Sequence, residues 1–96
     1  MEMTQTPRGF YNYGDPVKTT YGDEVSLRES SAADGPHCWL YIKDRPEGRA
    51  LDGTSCAHMS LGEAVAIRDR LTAFIDQVPE RWGAEYADPN YSRDSL

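Results

Sequence analysis

Lysine is nearly missing from this chain, with two residues against eight arginines in 96. Cysteine is as scarce, and two thiols are too few for a disulfide scaffold. No apolar run approaches the ~20 residues of a membrane-spanning helix. No basic stretch followed by an apolar core opens the sequence, so a cytoplasmic chain without contact to a membrane is expected. Gly-rich phosphate loops are absent, because Gly22, Gly48 and Gly53 stand alone. Clusters of positive charge are absent too. Ten basic residues are scattered among sixteen acids, for a net charge of −6. Phosphate neutralisation needs clustered cations, so direct nucleic-acid binding is disfavoured. The shortage of Lys, Ile and Asn beside nine Ala matches coding from a GC-rich genome.

What remains is a small acidic domain. Apolar residues make up 39% of the chain and mean hydropathy is −0.70. That is polar for a globular protein but too apolar and aromatic for full disorder. The length allows one domain with a thin core.

Residues 1–16 carry Gly and Pro punctuation without a clean period and read as an irregular aromatic segment, Phe10-Tyr11-Asn12-Tyr13. Val17–Tyr21 is β-branched and aromatic, Gly22-Asp23 fits a two-residue turn, and Glu24–Glu29 alternates strictly. Val25 and Leu27 fall on one face, and Glu24, Ser26 and Arg28 on the other. Ser30–Pro36 reads as a loop, His37–Lys43 as a strand bulky on both faces, and Asp44–Gly53 as a solvated polar loop. Thr54–Met59 reads as a short extended stretch.

Ser60-Leu61-Gly62-Glu63 is a capping box, and Ala64, Ile67, Leu71, Phe74, Ile75 and Val78 follow at helical spacing. The pattern predicts a helix over about 61–78, with Pro79 either ending it or starting a new turn. A short second helix is expected near 80–86 and a frayed tail beyond. The expected fold is therefore α+β, a two-layer sandwich. A three- to four-stranded antiparallel sheet carries one long helix packed on one face. The domain spans 17–78, between the 1–16 segment and a 79–96 tail.

Four residues invite a metal or catalytic reading: His37, Cys38, Cys56 and His58. Two thiols and two imidazoles match a structural zinc set, but adjacent strand residues point to opposite faces, so His37 and Cys38 converge poorly. A Cys38–Cys56 disulfide is disfavoured by the cytoplasmic setting. A Cys–His nucleophilic pair lacks an orienting third group and an oxyanion loop. The carboxylate pairs Asp23–Glu24, Glu63–Asp69 and Asp44–Asp52 are what sixteen acids produce by chance, and they serve solubility. No cofactor and no enzymatic activity are expected.

The aromatic surplus is more informative. Trp39 and Tyr41 share one strand face opposite Leu40 and Ile42. Trp and Tyr dominate interface hot spots, because they bury a large area and keep a polar tip. The expected partner surface centres on Trp39 and Tyr41, with Phe10, Tyr13 and Trp82 at its edge.

Four stretches form a recognisable string. They are the Tyr21-Gly22-Asp23 turn, Val25-x-Leu27-x-Glu29-Ser30-Ser31-Ala32-Ala33, Gly35-Pro36-x-x-Trp39-Leu40, and Ala57-His58-Met59-Ser60 leading into the helix. Over residues 17–78 the string resembles small uncharacterised accessory proteins of actinobacteria and actinobacteriophages, a group that brings no catalytic residues. The resemblance implies an accessory protein that binds a host protein. A non-enzymatic protein–protein interaction module is thus the expected function, with a host protein or a second copy as partner. The alternatives are an acidic nucleic-acid-mimicking inhibitor, a small zinc domain and a Cys/His enzyme.

Overall fold

The computed structural model describes residues 1–32, 34–43 and 54–89. The expected loop 44–53, its Asp44–Asp52 pair and the end of the expected tail lie outside them. Six strands form one antiparallel sheet: β1 (Met3–Gln5), β2 (Tyr11–Tyr13), β3 (Val17–Lys18), β4 (Glu24–Glu29), β5 (His37–Lys43) and β6 (Thr54–Ser60). Helix α1 (Leu61–Trp82) follows directly, and a 3-10 turn covers Ala84–Ala87. The α+β class is as expected. Two compact units are present, Met1–Ala64 and the chain from Val65 onward.

The sheet has more strands than the sequence suggested. The N-terminal segment is not irregular: β1 and β2 form a hairpin, with Met3 opposite Tyr13 and Gln5 opposite Tyr11. Its turn is Thr6-Pro7-Arg8-Gly9. The Gly9 N–H donates to the Thr6 carbonyl at 2.9 Å and Gly9 takes φ 92°. Pro at the second position and Gly at the fourth is the chemistry of a type I turn followed by a left-handed residue. Three-residue strands are too short to show an alternation, which hid them.

β4 shares its outer side between two partners. Arg28 pairs with Asn12 of β2, whereas Val25 and Glu24 pair with Val17 and Lys18 of β3. The β3–β4 turn is longer than two residues. Thr19 N–H donates to the Asp23 carbonyl and Gly22 N–H to the Thr19 carbonyl, so Gly22, at φ 95°, ends a four-residue turn. Positive φ at Gly22 was legible; its position within the turn was not.

The register of the central strands sorts the side chains. Directly opposed residues in an antiparallel pair share a face. Leu27 lies opposite Leu40 and Leu40 opposite Ala57, while Val25 meets Ile42 and Cys38 meets Met59. That is the aliphatic face. Arg28 lies opposite Trp39 and Trp39 opposite His58, while Ser26 meets Tyr41 and Tyr41 meets Cys56. That is the aromatic face.

α1 begins as the capping box requires. The Ser60 N–H donates to Glu63 Oε1 at 2.8 Å and the Glu63 N–H to Ser60 Oγ at 3.3 Å. Hydrogen bonding of the Glu63 carboxylate to Ser60, by the backbone N–H first and the side chain second, holds the Glu63 carboxyl below its usual range. Pro79 does not stop the helix, which runs one turn further to Trp82. Pro79 lacks the N–H that would close the hydrogen bond to residue 75, and it lies near the end of the helix at an exposed position. The Pro79 carbonyl accepts the Gly83 N–H at 3.1 Å, and Gly83 at φ 115° leads the chain out. Residues 80–82 therefore extend α1, and only Ala84–Ala87 forms a separate turn. The apolar stripe of α1 is exposed: Leu71 by 57%, Phe74 by 59% and Ile75 by 62%.

Candidate functional site

β5 carries the site because it is paired on both sides and so presents two composite faces. On the aromatic face, planar groups form a row across three strands. The Arg28 guanidinium of β4 sits 5.0 Å from the centre of the Tyr41 ring. Tyr41 and Trp39 of β5 lie 6.1 Å apart, centre to centre. His58 of β6 stacks on Trp39 at 4.1 Å with the planes only 15° apart. His37 follows at 4.9 Å from His58.

The local sequence explains the row. Residues i and i+2 of a strand share a face, which aligns His37, Trp39 and Tyr41. Register then brings Arg28 and His58 alongside Trp39.

Ser30 anchors the end of the row. It is one of two buried residues among those described, with 8% exposure. Its N–H donates to the His37 carbonyl at 2.9 Å and its Oγ accepts the Ala32 N–H at 3.1 Å. A 2.7 Å hydrogen bond joins Ser30 Oγ to His58 Nε2. His37 Nδ1 donates to the Gly35 carbonyl at 3.0 Å, and Asp34 Oδ1 lies 3.8 Å away from the same nitrogen. Both imidazoles are thus held by the Ser30–His37 loop. Beside Arg28 the same face continues into a polar depression of about 360 Å³, bordered by Thr4, Asn12 and Ser26.

The other face ends in a cavity of about 320 Å³. Phe10, Tyr13, Glu29, Cys38 and Met59 line it. Met59 is the other buried residue, at 9% exposure. Burial pushes the Cys38 thiol up. Burial also raises the Tyr13 hydroxyl, and the charge of Glu29 adds to the shift.

The expected partner residues therefore separate. Trp39 and Tyr41 stand together, half-buried, as the sequence suggested. Tyr13 does not join them. Asn12 pairs with Arg28 on the aromatic face, so Tyr13 falls on the opposite one. Phe10 lines the cavity with Tyr13 and sits under the Arg8 guanidinium at 5.8 Å. Trp82, in the second unit, packs on Tyr86 at 6.4 Å. Arg28 and Ser30 carry no signal in the sequence, and His37 and His58 stand out there only as metal or catalytic candidates, not as members of the row. The cross-strand register that unites them leaves no local signal.

The Cys/His set is divided in the same way. Cys38 belongs to the aliphatic face and lines the cavity; Cys56 and His58 share the aromatic side, and His37, on that side by register, also borders the cavity. Cys38 and Cys56 are both free thiols. Among the described residues, no three His, Cys, Asp or Glu side chains converge as a metal site would need. No described helix is long and apolar enough to cross a membrane. In comparisons with known proteins the chain matches no family model, no curated protein and no solved structure.

Proposed function

We infer that this protein is a non-enzymatic protein–protein interaction module whose contact surface is the aromatic face of β5. One observation carries the reading. Trp39, Tyr41 and Arg28 form one contiguous, partly exposed row, already held in place by mutual packing. Trp, Tyr and Arg are the three residue types that dominate interface hot spots. A row ordered before binding loses little side-chain entropy on contact, which leaves more of its contact energy for affinity. The partner is a host protein or a second copy of the chain. The row suits a partner surface with an apolar centre and a carboxylate for Arg28.

The test is single substitution of Trp39 and Tyr41 by Ala, with unfolding and partner capture measured on the same preparations. The reading expects binding to weaken by at least about 2 kcal/mol with little loss of stability. Undiminished capture by folded Trp39→Ala would refute it. Unfolding of both variants would make the rings structural, which also contradicts it.

A further inference from the structure

The proposed function uses one side of the sheet, and the cavity lies at the Cys38 end of the other. Its volume of about 320 Å³ falls at the small end of the range of ligand pockets. Its lining residues all belong to the unit Met1–Ala64. Phe10, Tyr13, Pro36 and Met59 give it apolar walls, and Tyr13, Cys38 and Glu29 bring a hydroxyl, a thiol and a carboxylate to the same lining.

Register explains why these groups meet. Glu29 lies opposite Cys38 and Cys38 opposite Met59, so the three share a face. The Asn12–Arg28 pairing puts Tyr13 on that face as well. The Glu29 carboxylate is also fixed from β2, because its Oε1 accepts the Tyr11 N–H at 3.1 Å. An ionised carboxyl has several acceptor positions, so one such bond leaves capacity for a ligand.

The groups differ in charge. Burial favours the protonated Cys38 thiol and the protonated Tyr13 hydroxyl, and the charge of Glu29 pushes Tyr13 in the same direction. Negative charge therefore rests on Glu29, half-buried among apolar walls. Apolar walls, a few convergent polar groups and shifted titration are what ligand sites share.

The sign of the charge selects the ligand. A half-buried carboxylate attracts a cation and is screened less than one in open water. Aromatic ring faces attract cations too, and a thioether is soft and polarisable. The net charge of −6 draws cations towards the chain and repels anions. A bare metal ion would use Glu29 and leave the apolar walls idle, and among the described residues no three metal ligands converge. An ammonium ion carrying alkyl groups uses both. The Arg8 guanidinium stands over Phe10 at 5.8 Å, but it is exposed and outside the lining.

We propose that this cavity binds a small organic ammonium ion, with its charge against Glu29 and its alkyl groups against Phe10, Tyr13 and Met59. Trp39 and Tyr41 take no part, so the proposal stands apart from the proposed function.

The experiment titrates the isotopically labelled full chain with choline, and separately with dimethylbutanol, its uncharged isostere in which carbon replaces the nitrogen. Backbone amide and indole resonances are followed by NMR. Choline should give saturable shifts centred on the amides of Tyr13, Glu29 and Cys38. The isostere should bind about tenfold or more weakly, because it lacks the attraction to the carboxylate and the rings. Glu29→Gln keeps the shape, removes the charge, and should weaken choline by a similar factor with the circular dichroism spectrum retained. No saturable shift overturns the proposal, and that is also the result if another segment of the chain fills the cavity. Equal affinity for the isostere overturns it, since the cavity is then only an apolar hole. Shifts centred on the Trp39 indole N–H overturn it by placing the cation on the aromatic row. Undiminished binding to folded Glu29→Gln does so as well. If Glu29→Gln fails to fold, the choline-to-isostere ratio on the unaltered chain decides the matter.

Discussion

On one side of β5, Cys38, Leu40 and Ile42 meet Glu29, Leu27 and Val25 from β4 and Met59 and Ala57 from β6; on the other, Trp39 and Tyr41 meet Arg28, His58 and Cys56. The two sides obey different physics. Aliphatic contacts are non-directional and scale with the area taken from water. Stacked rings and a cation over a ring hold particular distances and angles, and they keep polar tips available to a partner. The first side is suited to holding the sheet together and the second to recognising something. A strand has only one backbone to position both, so on the function proposed here its alternation separates stability from recognition residue by residue.

Leu40→Ala is expected to have the largest effect on folding. Leu40 is half-buried between Leu27 and Ala57, so the loss should be about 2 kcal/mol, the low end of the Leu→Ala range. Thermal unfolding would show this as a fall in Tm of about 8–16 °C for a domain of this size. Tyr41→Ala, its neighbour on the aromatic side, should cost less than half of that. Equal losses at the two positions would erase the distinction between the faces.

Ser60→Ala should cost about 1 kcal/mol, the usual worth of an N-cap side chain. The Glu63 half of the capping box makes stability depend on pH, with a definite sign. The Glu63 carboxyl is held below its ordinary value of 4.5 by its bonds to Ser60. A depressed carboxyl stabilises the fold above its unfolded pKa, and the contribution is lost as pH falls through the folded one. Acid titration of stability should therefore be steeper in the parent than in Glu63→Gln, which removes the titrating group, at and below pH 4.5. Parallel acid titrations would mean that the capping box does not form in solution.

The opposite sign applies at the cavity. Burial raises both Cys38 and Tyr13 above their ordinary values of 9.0 and 10.0. Acids held protonated by the fold stabilise it below the unfolded pKa and cease to do so as pH rises through the folded one. Stability should decline above pH 9, and less so in Cys38→Ala. The smallest expected effect is chemical. Cys56 on the exposed edge should alkylate about tenfold faster than Cys38 at neutral pH, because Cys38 is half-buried with its thiol protonated. Mass spectrometry of a brief labelling reaction checks the order, and faster labelling of Cys38 would place the thiols differently from the register.

These two faces were half legible in the sequence. Strict alternation in Glu24–Glu29 puts Val25 and Leu27 on one face, the period-2 geometry of His37–Lys43 puts Leu40 and Ile42 on one face, and the pairings bring the two sets together. Ser60 and Glu63 announced the helix start, because a capping box is local chemistry. The missing parts are all non-local or too short. β1 and β2 offer three residues each, below the length at which alternation can be told from chance. Composition alone groups Tyr13 with Trp39 as an aromatic, and only the Asn12–Arg28 pairing reveals that it faces the other way. Pro79 marks a helix end by propensity, yet α1 continues through it to Trp82, and nothing in the local sequence tells the two outcomes apart.

The claim that β5 divides stability from recognition is tested most directly by two adjacent positions. A photo-crosslinking phenylalanine analogue is placed at Tyr41 or at Ile42, neighbours whose side chains point to opposite faces. Each chain is irradiated with its partner proteins in lysate, and the adducts are read by mass spectrometry. The account predicts adducts to a defined partner from position 41, few from position 42, and loss of the position 41 adducts when Trp39→Ala is added. Equal adduct formation at both positions, or adducts at position 42 alone, would contradict it.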